Sequence, residues 1–486
     1  MRLFMRAPTI PLGRSRFLHF FRRTLRITPQ QARAHVHVLG KTGSGKSYFL
    51  AGLFLSFFDA GMPVTLVDPH GDLAELVLSL LIDRGLFNDP AMYERLIYLD
   101  IPAAASAGRF LPFNYLAQPY DDYAMAELVA EACRRAWPEL ATGAPTFENI
   151  LKHSVIALRQ NNLPLTRLAD LLTDTAFRQQ LLHNVTDSQV VRFFQLRMDQ
   201  WGREAPLMKE STLNRADLLT FAPVLRYSLG NQQNILSFRE IMDSGRFLLI
   251  NLARPLPEDA RRLLGCLLTV GMESAALARA DKRTGRRPHH LWIDEFSQFM
   301  AQSETALTRM LSETRKYGLF CLMAHQNWSQ ASERLRGALQ NVGIEMILKA
   351  GRFDAEYSAK ILASVDPMEV KHVVEDEHAE ERTHPTYLSL PEQWERHVQA
   401  IQRLRVGEAF IRLPDDSVHK VSTPTLPSLS VHAGDIQTVR QTYIERYFRS
   451  IDERQGSEDE EPAESMKVIG RRSLSVSGTV FDKPKY

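Results

Sequence analysis

The sequence predicts an α/β fold in which a mostly parallel sheet carries helices on both faces and an all-α segment is inserted into it. Three observations lead to this prediction. Short β-branched and apolar runs alternate with amphipathic helical runs between residues 35 and 99. The alternation stops between about residues 121 and 242, where only helix-length runs occur, and it resumes at residue 247. The chain has 486 residues, which is enough for two domains and tails.

The first part of the predicted sheet begins with residues 35–39, a β-branched run that ends at a glycine-rich turn. Apolar residues at helical spacing follow over 47–60, so we expect a helix there. Residues 64–67 and 96–99 are short apolar runs typical of buried strands, and residues 73–86 between them have a helical pattern. This order of strand, helix and strand favours parallel pairing.

The inserted segment contains amphipathic runs separated by proline and glycine. They cover residues 125–137, 147–160, 165–172, 190–201 and 211–221. The sheet is expected to resume with strands at 247–252, 291–293, 319–323 and 345–349, helices at 258–279 and 305–317, and a hairpin that pairs 409–412 with 418–421. A further helix is expected from about 434 to 451.

These patterns divide the chain into six regions. They are a basic N-terminal extension (1–33), the first part of the sheet domain (34–117), the inserted all-α domain (118–242), the second part of the sheet domain (243–426), a C-terminal helix (427–452) and a polar tail that is predicted to be disordered (453–486).

The charge distribution restricts the class of partner. Basic residues exceed acidic ones by only two over the chain, 59 against 57, but ten cations precede the first acidic residue, Asp59. They are Arg2, Arg6, Arg14, Arg16, Arg22, Arg23, Arg26, Arg33, Lys41 and Lys46. Such a local excess suits phosphate-rich or anionic partners, and a merely solvated extension is the alternative. The apolar residues between 17 and 25 also leave open a helix on a membrane surface or a partner, and a transit peptide stays open as well.

The apolar residues and cysteines indicate the compartment. No run of about 18 apolar residues lacks charge, so no membrane span is predicted. Cys133, Cys266 and Cys321 lack metal-ligand spacing and are expected to be reduced core residues. We therefore expect a cytoplasmic protein, with attachment to the inner membrane through partners left open.

One segment matches the phosphate-binding pattern GxxxxGK[ST]. Its candidate nucleotide-binding residues are Gly40, Lys41, Thr42, Gly43, Ser44, Gly45, Lys46 and Ser47. The glycines let successive backbone N–H groups turn toward a phosphate at the start of the next helix. Lys46 is expected to reach the β- and γ-phosphates, and the Ser47 hydroxyl to bind Mg²⁺. The segment therefore predicts binding of ATP with Mg²⁺.

Polar residues that complete an ATPase site follow two later strands. Asp294 and Glu295 come directly after the apolar run 291–293, which places them at the C-terminal edge of the sheet. Asp294 is a candidate Mg²⁺ ligand and Glu295 a candidate base that takes a proton from the attacking water. A helix N-cap is the structural alternative for Asp294. Gln326, after the run 319–323, is a candidate sensor of the γ-phosphate or simply a polar strand end.

These motifs resemble the HerA–FtsK superfamily, and most closely the type IV secretion coupling proteins, the TraD/TraG-like conjugative DNA-transfer ATPases. The matching segments are 35–47 (HVHVLGKTGSGKS), 66–72 (LVDPHGD), 292–296 (WIDEF), 313–318 (ETRKYG), 324–326 (AHQ) and 341–343 (NVG). They follow the family's order across about residues 35–365, and the DPHGD run is specific to this branch.

The resemblance implies a RecA-like motor domain with an all-α domain, assembled as a homo-hexamer that threads DNA through its pore. By motif it assigns nucleotide and metal binding to Lys46 and Ser47, the Walker B acid to Asp294, the catalytic base to Glu295 and the sensor to Gln326. A relaxase, a secretion-channel protein or a nuclease is the implied kind of protein partner. Many coupling proteins begin with membrane-spanning helices and this sequence predicts none, so the resemblance supports DNA translocation better than conjugation.

The resemblance also places an arginine at the neighbouring subunit's ATP. Arg315 stands where the family has this residue, and Arg352 is a second candidate. An arginine supplied by the neighbour would neutralise transition-state charge and make hydrolysis depend on assembly. For either residue, a surface salt bridge is the alternative.

Several functions stay open at the level of sequence. The leading hypothesis is an ATP-driven DNA-translocating motor. The alternatives are an interaction module whose assembly with partners is controlled by ATP, and a HerA-like ATPase of DNA processing or defence. A small-molecule P-loop kinase is disfavoured by the length of the chain, by the helical insertion, and by the acid pair followed by a glutamine.

Overall fold

The fold is taken from a computed structural model, which describes residues 9–17, 21–140, 145–282, 284–300, 304–363, 368–375 and 383–450. The tail that was predicted to be disordered, 453–486, lies outside these residues, as do the first eight residues of the N-terminal region.

The strands of the described residues are numbered in chain order. They are β1 Ile10–Phe17, β2 Phe21–Ile27, β3 Val36–Leu39, β4 Val64–Asp68, β5 Leu96–Asp100, β6 Arg109–Phe110, β7 Phe247–Asn251, β8 His289–Ile293, β9 Leu319–His325, β10 Ile344–Ile347, β11 Val370–Glu375, β12 Thr383–Tyr387, β13 Glu408–Arg412, β14 Val418–Ser422 and β15 Arg449–Ser450.

The helices lie between these strands. They are α1 Lys46–Asp59, α2 Asp72–Asp83, α3 Met92–Arg95, α4 Ile101–Ser106, α5 Asp122–Ala136, α6 Pro145–Gln160, α7 Leu168–Thr173, α8 Thr175–Asn184, α9 Ser188–Arg192, α10 Ala205–Phe221, α11 Pro223–Leu229, α12 Phe238–Ser244, α13 Glu258–Leu277, α14 Ser297–Met300, α15 Glu304–Glu313, α16 Glu333–Leu339, α17 Arg352–Leu362, α18 Leu390–Gln402 and α19 Ala433–Tyr447.

One sheet of eleven strands organises the fold, in the order β2-β1-β14-β13-β10-β3-β9-β8-β4-β7-β5. The strands from β10 to β5 are mutually parallel, whereas β13, β14, β1 and β2 pair in antiparallel fashion. The predicted α/β class with a mostly parallel sheet and helices on both faces is confirmed.

The parallel strands are buried on both faces, as their continuous apolar runs require. Alternate residues of β4 and β8 belong to two separate core clusters: Leu66 and Trp292 pack with α1, α2 and α19, whereas Val67 and Ile293 pack with α5 and α13. Because side chains alternate across a strand, the two clusters lie on opposite faces of the sheet. The sheet is therefore the middle layer of the molecule.

The segment between the two parts of the sheet is helical from α5 to α12, as expected. This segment is attached to the long helix α13, because the fully buried Arg135 of α5 donates hydrogen bonds to Glu131 (2.8 Å) and to Glu273 of α13 (2.7 Å). Within the described residues, the segment Glu258–Asp281 is the one helix apolar and long enough to cross a membrane, and 83% of its apolar window is buried in the core.

The N-terminal region differs from the prediction. Residues 10–17 and 21–27 form neither a solvated extension nor an amphipathic helix; they form the antiparallel strands β1 and β2, and β1 also pairs with β14. Alternation in β2 explains the difference, because Ile27 is buried while its neighbour Arg26 is exposed. A period of two indicates a strand, and the density of arginines obscures it.

Most of the other predicted elements are present within a few residues. The 409–412 with 418–421 hairpin is observed as β13 and β14. Two pairings were not predicted: β11 with β12, and β6 with β15. The last pairing ends the C-terminal helix at Tyr447, earlier than expected, because the chain turns there to pair with β6.

Candidate nucleotide-binding site

The parallel register brings four strand ends to one edge of the sheet. Leu39 of β3 pairs with His325 of β9, and Val67 of β4 pairs with Ile293 of β8. Since β8 and β9 are themselves neighbours, the segments that follow these four strands share one edge. The phosphate-loop residues 40–47 and the predicted acid pair therefore meet there, as the sequence predicts.

The backbone of the phosphate loop is held open by glycine. Gly43 and Gly45 have φ values of +76° and +89°, a left-handed conformation that side chains with a Cβ rarely adopt. A Cβ at Gly45 would also lie 3.2 Å from Cγ1 of Val406, in the turn before β13. Two residues of the loop are thus fixed as glycine by conformation, and one of them by close packing as well.

Two hydrogen bonds attach the start of the loop to the neighbouring strands. The Gly40 N–H donates to the carbonyl of His325 (3.2 Å), and the Lys41 N–H donates to that of Lys349 (3.1 Å). The loop is therefore continuous with the sheet through β9 on one side and through the end of β10 on the other. Its tip at residues 42 and 43 is exposed.

Lys46 begins α1 and meets both predicted acids. Its ammonium donates to Oδ1 of Asp294 in a very short contact and to Oε1 of Glu295 at 2.7 Å. All three residues are buried, at 9%, 5% and 3% exposure. The cluster is thus a compact group of opposite charges at the C-terminal edge of the sheet.

The electrostatics of this cluster follow from burial and from the two carboxylates. Burial alone would lower the pKa of Lys46, but the charges of Asp294 and Glu295 outweigh it and raise that pKa. The ammonium therefore stays protonated at neutral pH. Burial, and then the charge of Asp294, raises the pKa of the nearby Asp68. Two carboxylates thus contact one cation, and a third acidic group lies close enough to Asp294 to be affected by its charge.

Asp68 is a residue whose role the sequence analysis did not assign. It ends β4, and its carboxylate accepts hydrogen bonds from the backbone N–H groups of His70, Leu73 and Ala74, each at 2.9 Å. These bonds close the turn into α2, where Gly71 has a φ of +84°. Asp68 therefore shapes the sheet edge next to Asp294.

Glu295 has a strained backbone. Its φ of +49° is uncommon for a residue other than glycine. Such strain costs on the order of 1–3 kcal/mol and persists where the surroundings enforce it. Here the conformation follows directly after β8 and brings the Glu295 carboxylate, together with that of Asp294, to Lys46.

Gln326 lies beside the phosphate loop. Its Oε1 accepts a hydrogen bond from the Thr42 hydroxyl at 2.9 Å. The side chain is half-buried at the end of β9, one residue beyond the carbonyl that anchors Gly40. A group at this position can respond to what the loop holds, which is what a sensor requires.

A buried polar chain under the loop was missed by the sequence analysis. His37 of β3 contacts Oε1 of Glu345 through Nδ1 (2.6 Å) and Nε2 of His325 through its own Nε2 (2.7 Å), and all three residues are fully buried. Burial, and then the charge of His37, lowers the pKa of His325 well below its usual range. The signal in the sequence was a glutamate inside an otherwise apolar strand.

The two candidate arginines lie elsewhere. Arg315 precedes β9, so it is at the opposite edge of the sheet from Gln326, about 20 Å away along the seven residues of that strand. It is exposed, and no side chain among the described residues accepts a hydrogen bond from it. Arg352 instead donates to both carboxylate oxygens of Glu395 (2.7 Å each) and to Glu356 (2.6 Å). Arg352 therefore forms the surface salt bridge that was the alternative to a role at the neighbour's ATP.

The residues present fit a nucleoside triphosphate with a divalent cation. The Ser44 hydroxyl is buried and makes no hydrogen bond within the described residues, so the loop retains a polar group for a ligand. No group of three or more His, Cys, Asp or Glu side chains in the described part of the chain is arranged to hold a metal by itself. Mg²⁺ commonly binds through one carboxylate, a hydroxyl and substrate phosphates, which Asp294 and Ser47 would allow.

The comparison with known proteins agrees with this geometry. The family model described as the central domain of the helicase HerA matches residues 24–186. No curated protein sequence matches the chain. The resemblance to HerA–FtsK ATPases that was inferred from the motifs is thereby confirmed.

Solved structures share the fold. The bacterial conjugative coupling protein TrwBdeltaN70 matches with a TM-score of 0.53 and 18% identity over 84% of this chain and 89% of its own. TrwB in complex with ADP and Mg²⁺ matches with a TM-score of 0.52 and 17% identity over the same shares. VirB4 of Thermoanaerobacter pseudethanolicus matches with a TM-score of 0.54 and 13% identity over 86% of this chain and 96% of its own.

Proposed function

We propose that the chain is a P-loop ATPase of the HerA–FtsK type that converts ATP and water to ADP and phosphate and uses the energy to translocate DNA. We further propose that it works as a homo-hexameric ring, in conjugative or related DNA transfer. The observation that carries the proposal is the contact of Lys46 with Asp294 and Glu295 at one sheet edge. This edge joins a phosphate-binding loop to an acid pair.

The residues divide the chemistry between them. Backbone N–H groups of residues 43–46 and the Lys46 ammonium would bind the β- and γ-phosphates, and Ser47 and Asp294 would hold Mg²⁺. When bound, Mg²⁺ supplies charge neutralisation at the phosphates. With phosphates present, Lys46 has a second set of anionic partners, so its contact with the two acids is expected to loosen.

Glu295 is the residue proposed to accept the proton of the attacking water. Its carboxylate is buried at 3% exposure and is fixed by a strained backbone, so its position relative to the loop is set before substrate binds. Preorganised groups of this kind cost little reorganisation during the reaction. Gln326 would report the γ-phosphate to the loop through Thr42.

The experiment that tests the proposal measures ATP hydrolysis by the full chain with and without duplex DNA, and displacement of a triplex-forming strand from that duplex. We expect DNA to stimulate hydrolysis several-fold and the third strand to be displaced. The Glu295→Gln variant should bind ATP and hold it without turnover, because the acid that takes the proton is gone.

Glu127→Gln is the matched control, since this exposed carboxylate belongs to α5 in the helical segment and pairs only with Lys152 in the described residues. It should hydrolyse ATP like the unmodified chain. Hydrolysis that ignores DNA, with no strand displaced, would favour the interaction module controlled by ATP. Rapid turnover by Glu295→Gln would assign the base to another residue.

A further inference from the structure

A groove lies at the antiparallel end of the sheet, away from the phosphate loop. It has a volume of about 1150 Å³ and is lined by β1, β2 and β14, by the first residue of β13 and by the segment that follows α18. Six cations line it: Arg14, Arg23, Arg26, Arg403, Arg405 and Lys420. We call this feature the basic groove. The ATPase mechanism does not use it.

The floor of the basic groove is an exposed face of the sheet. Arg14 is paired in register with Ser422 of β14 and with Thr24 of β2, so the three side chains share one face. Lys420 and Arg26, two residues along their strands, fall on the same face. Val421 on the other face is buried. The cations are thus arrayed across three adjacent strands.

The positive charge of the groove is nearly uncompensated. Glu408 is the only acid among its lining residues, so six cations minus one carboxylate leave a net charge of +5. Glu408 contacts Lys420 at 3.3 Å. Within the described residues, no carboxylate forms an ion pair with the side chain of any of the four arginines 14, 23, 403 and 405, although the Arg405 backbone N–H donates a hydrogen bond to Glu408 (2.9 Å). No compensation comes from the rest of the N-terminal region, because the first acid of the chain is Asp59.

The chemistry of the lining favours phosphate groups over bases. Guanidinium groups bind phosphate oxygens in bidentate fashion, and clusters of them create a field that attracts polyanions. Proteins that bind single strands add aromatic rings on which bases stack. The described lining residues of the groove include no Phe, Tyr or Trp. A duplex, whose bases are already stacked and whose phosphates face outward, is the better match.

One turn, residues 405–407, connects the basic groove to the phosphate loop. Arg405 lines the groove, and the next residue, Val406, lies against Gly45 of the phosphate loop, where a Cβ would be 3.2 Å from its Cγ1. Gly407 follows with a φ of +81° and accepts a hydrogen bond from the Thr423 N–H (2.8 Å). Movement of this turn therefore reaches both sites.

We propose that the basic groove binds the phosphate backbone of duplex DNA without regard to base sequence, and that the turn 405–407 couples this binding to ATP binding. The assignment of DNA as the ligand rests on the proposed function, whereas the groove and its charge do not. The groove would hold one edge of the duplex, outside the nucleotide site.

Binding is tested with the full chain, without nucleotide, by fluorescence anisotropy on a labelled duplex of random sequence over a range of salt concentrations. The test variant is Arg14→Gln/Arg26→Gln/Lys420→Gln, and the control is Arg192→Gln/Arg203→Gln/Lys360→Gln, which removes the same charge from exposed positions elsewhere. We expect the test variant to bind at least about tenfold more weakly and its salt slope to fall by about 2 to 3, near 0.9 for each lost phosphate contact.

Equal losses in the two triple variants would overturn the groove assignment. Polyglutamate that competes as well as DNA, with the same sensitivity to the test variant, would also overturn it and indicate an acidic peptide as ligand. The test variant should keep its DNA-independent ATPase. If the unmodified chain hydrolyses no ATP while the groove variant still loses DNA, the proposed function fails and the groove stands.

Coupling is tested with Val406→Gly. Saturating duplex DNA should change the affinity of the unmodified chain for an ATP analogue by about fivefold or more, a typical allosteric coupling. In Val406→Gly the DNA affinity should persist while this change shrinks, because the side chain that meets Gly45 is absent. An undiminished change would overturn the coupling.

Discussion

At the scale of single residues, the candidate nucleotide-binding site is a cluster of buried charges. Lys46 lies between Asp294 and Glu295, and Asp68 adds a third acidic group nearby. Removing one partner of a buried pair leaves an uncompensated charge, which costs several kcal/mol. The same ammonium that is expected to bind phosphate therefore also stabilises the acids that would hold the metal and the water.

Lys46→Ala should abolish ATP binding and turnover, and it should also lower the melting temperature in the absence of ligand. The expected loss of stability is about 3 kcal/mol, because two buried carboxylates lose their cation. Isothermal titration calorimetry with ATP and scanning calorimetry measure the two effects. Lys360→Ala, at an exposed position of α17, is the control and should change neither. Retained turnover would refute the assignment of the loop.

At the scale of elements, left-handed glycines fix turns between strands and helices. Gly71, in the turn closed by Asp68, has a φ of +84°, and a Cβ there would lie 2.5 Å from Oδ1 of Asn251. Gly61, which follows α1, has a similar φ of +65°, but a Cβ there would meet nothing within 4 Å. A side chain at Gly61 would meet backbone strain alone, whereas one at Gly71 would meet both strain and crowding.

Gly71→Ala should destabilise the protein by more than about 2 kcal/mol, because strain and a clash with Asn251 add together. Gly61→Ala, the matched control, should cost about 1 kcal/mol from strain alone. Denaturant unfolding of the two variants gives the comparison. Equal losses would mean that the turn before α2 yields to the added methyl group.

Two buried histidines, His35 just before β3 and His290 in β8, make the stability of the fold depend on pH. Burial, and then the charge of Arg315, lowers the pKa of His35 to about 4, and burial, and then the charge of His35, lowers that of His290 to about 3. In the unfolded chain both titrate near 6.5. Below that pH the unfolded state binds more protons than the folded state, so stability is complete above about 6.5 and falls as the pH drops toward 4.

We expect the melting temperature to fall between pH 7 and pH 4.5, with each histidine contributing on the order of 2–3 kcal/mol. His290→Leu removes one titrating group from the core, so its melting temperature should depend less steeply on pH over this range. Scanning calorimetry of both proteins measures this. An identical pH dependence would show that His290 does not titrate differently in the two states.

The sequence predicts most strands and helices of the sheet domain. It also predicts that the phosphate loop meets the acid pair, because residues that directly follow parallel strands lie at the same edge of the sheet. It does not predict the buried polar contacts beneath the phosphate loop. The chain of Glu345, His37 and His325 joins three strands that are distant in sequence, so no local pattern reveals it. Asp68 was visible only as part of a motif, since its turn-closing bonds depend on the backbone of α2.

At the scale of the whole molecule, the position of Arg315 distinguishes a role at the ATP of its own subunit from a role at the ATP of a neighbouring subunit. It lies at the edge of the sheet opposite the phosphate loop, so it cannot serve the ATP of its own subunit. In a ring, an exposed arginine can instead serve the neighbour, where such residues contribute about 10³–10⁵ in rate. The resemblance assigns this role by motif, and in the proposed ring Arg315 would serve the ATP of the neighbouring subunit.

Arg315→Ala and Glu295→Gln should each abolish turnover, and mixing the two purified variants should restore part of it. In a randomly mixed ring, about a quarter of the interfaces combine an intact Glu295 from one subunit with an intact Arg315 from the next. Turnover at several mixing ratios, with the total protein concentration held constant, is the measurement. Absence of recovery at every ratio would count against a site shared between subunits.

The order of strands bears on how the chain is made. On the ribosome, β3 ends at Leu39 and its sheet neighbour β9 starts at Leu319, so 280 residues must be synthesised before the two can meet (319 minus 39). The β1–β2 hairpin waits longer still for β14. Until then the nascent polypeptide presents unpaired apolar strands, which are prone to aggregate and need chaperones. Fragments that stop short of β9 should accumulate as insoluble material rather than as smaller nucleotide-binding proteins.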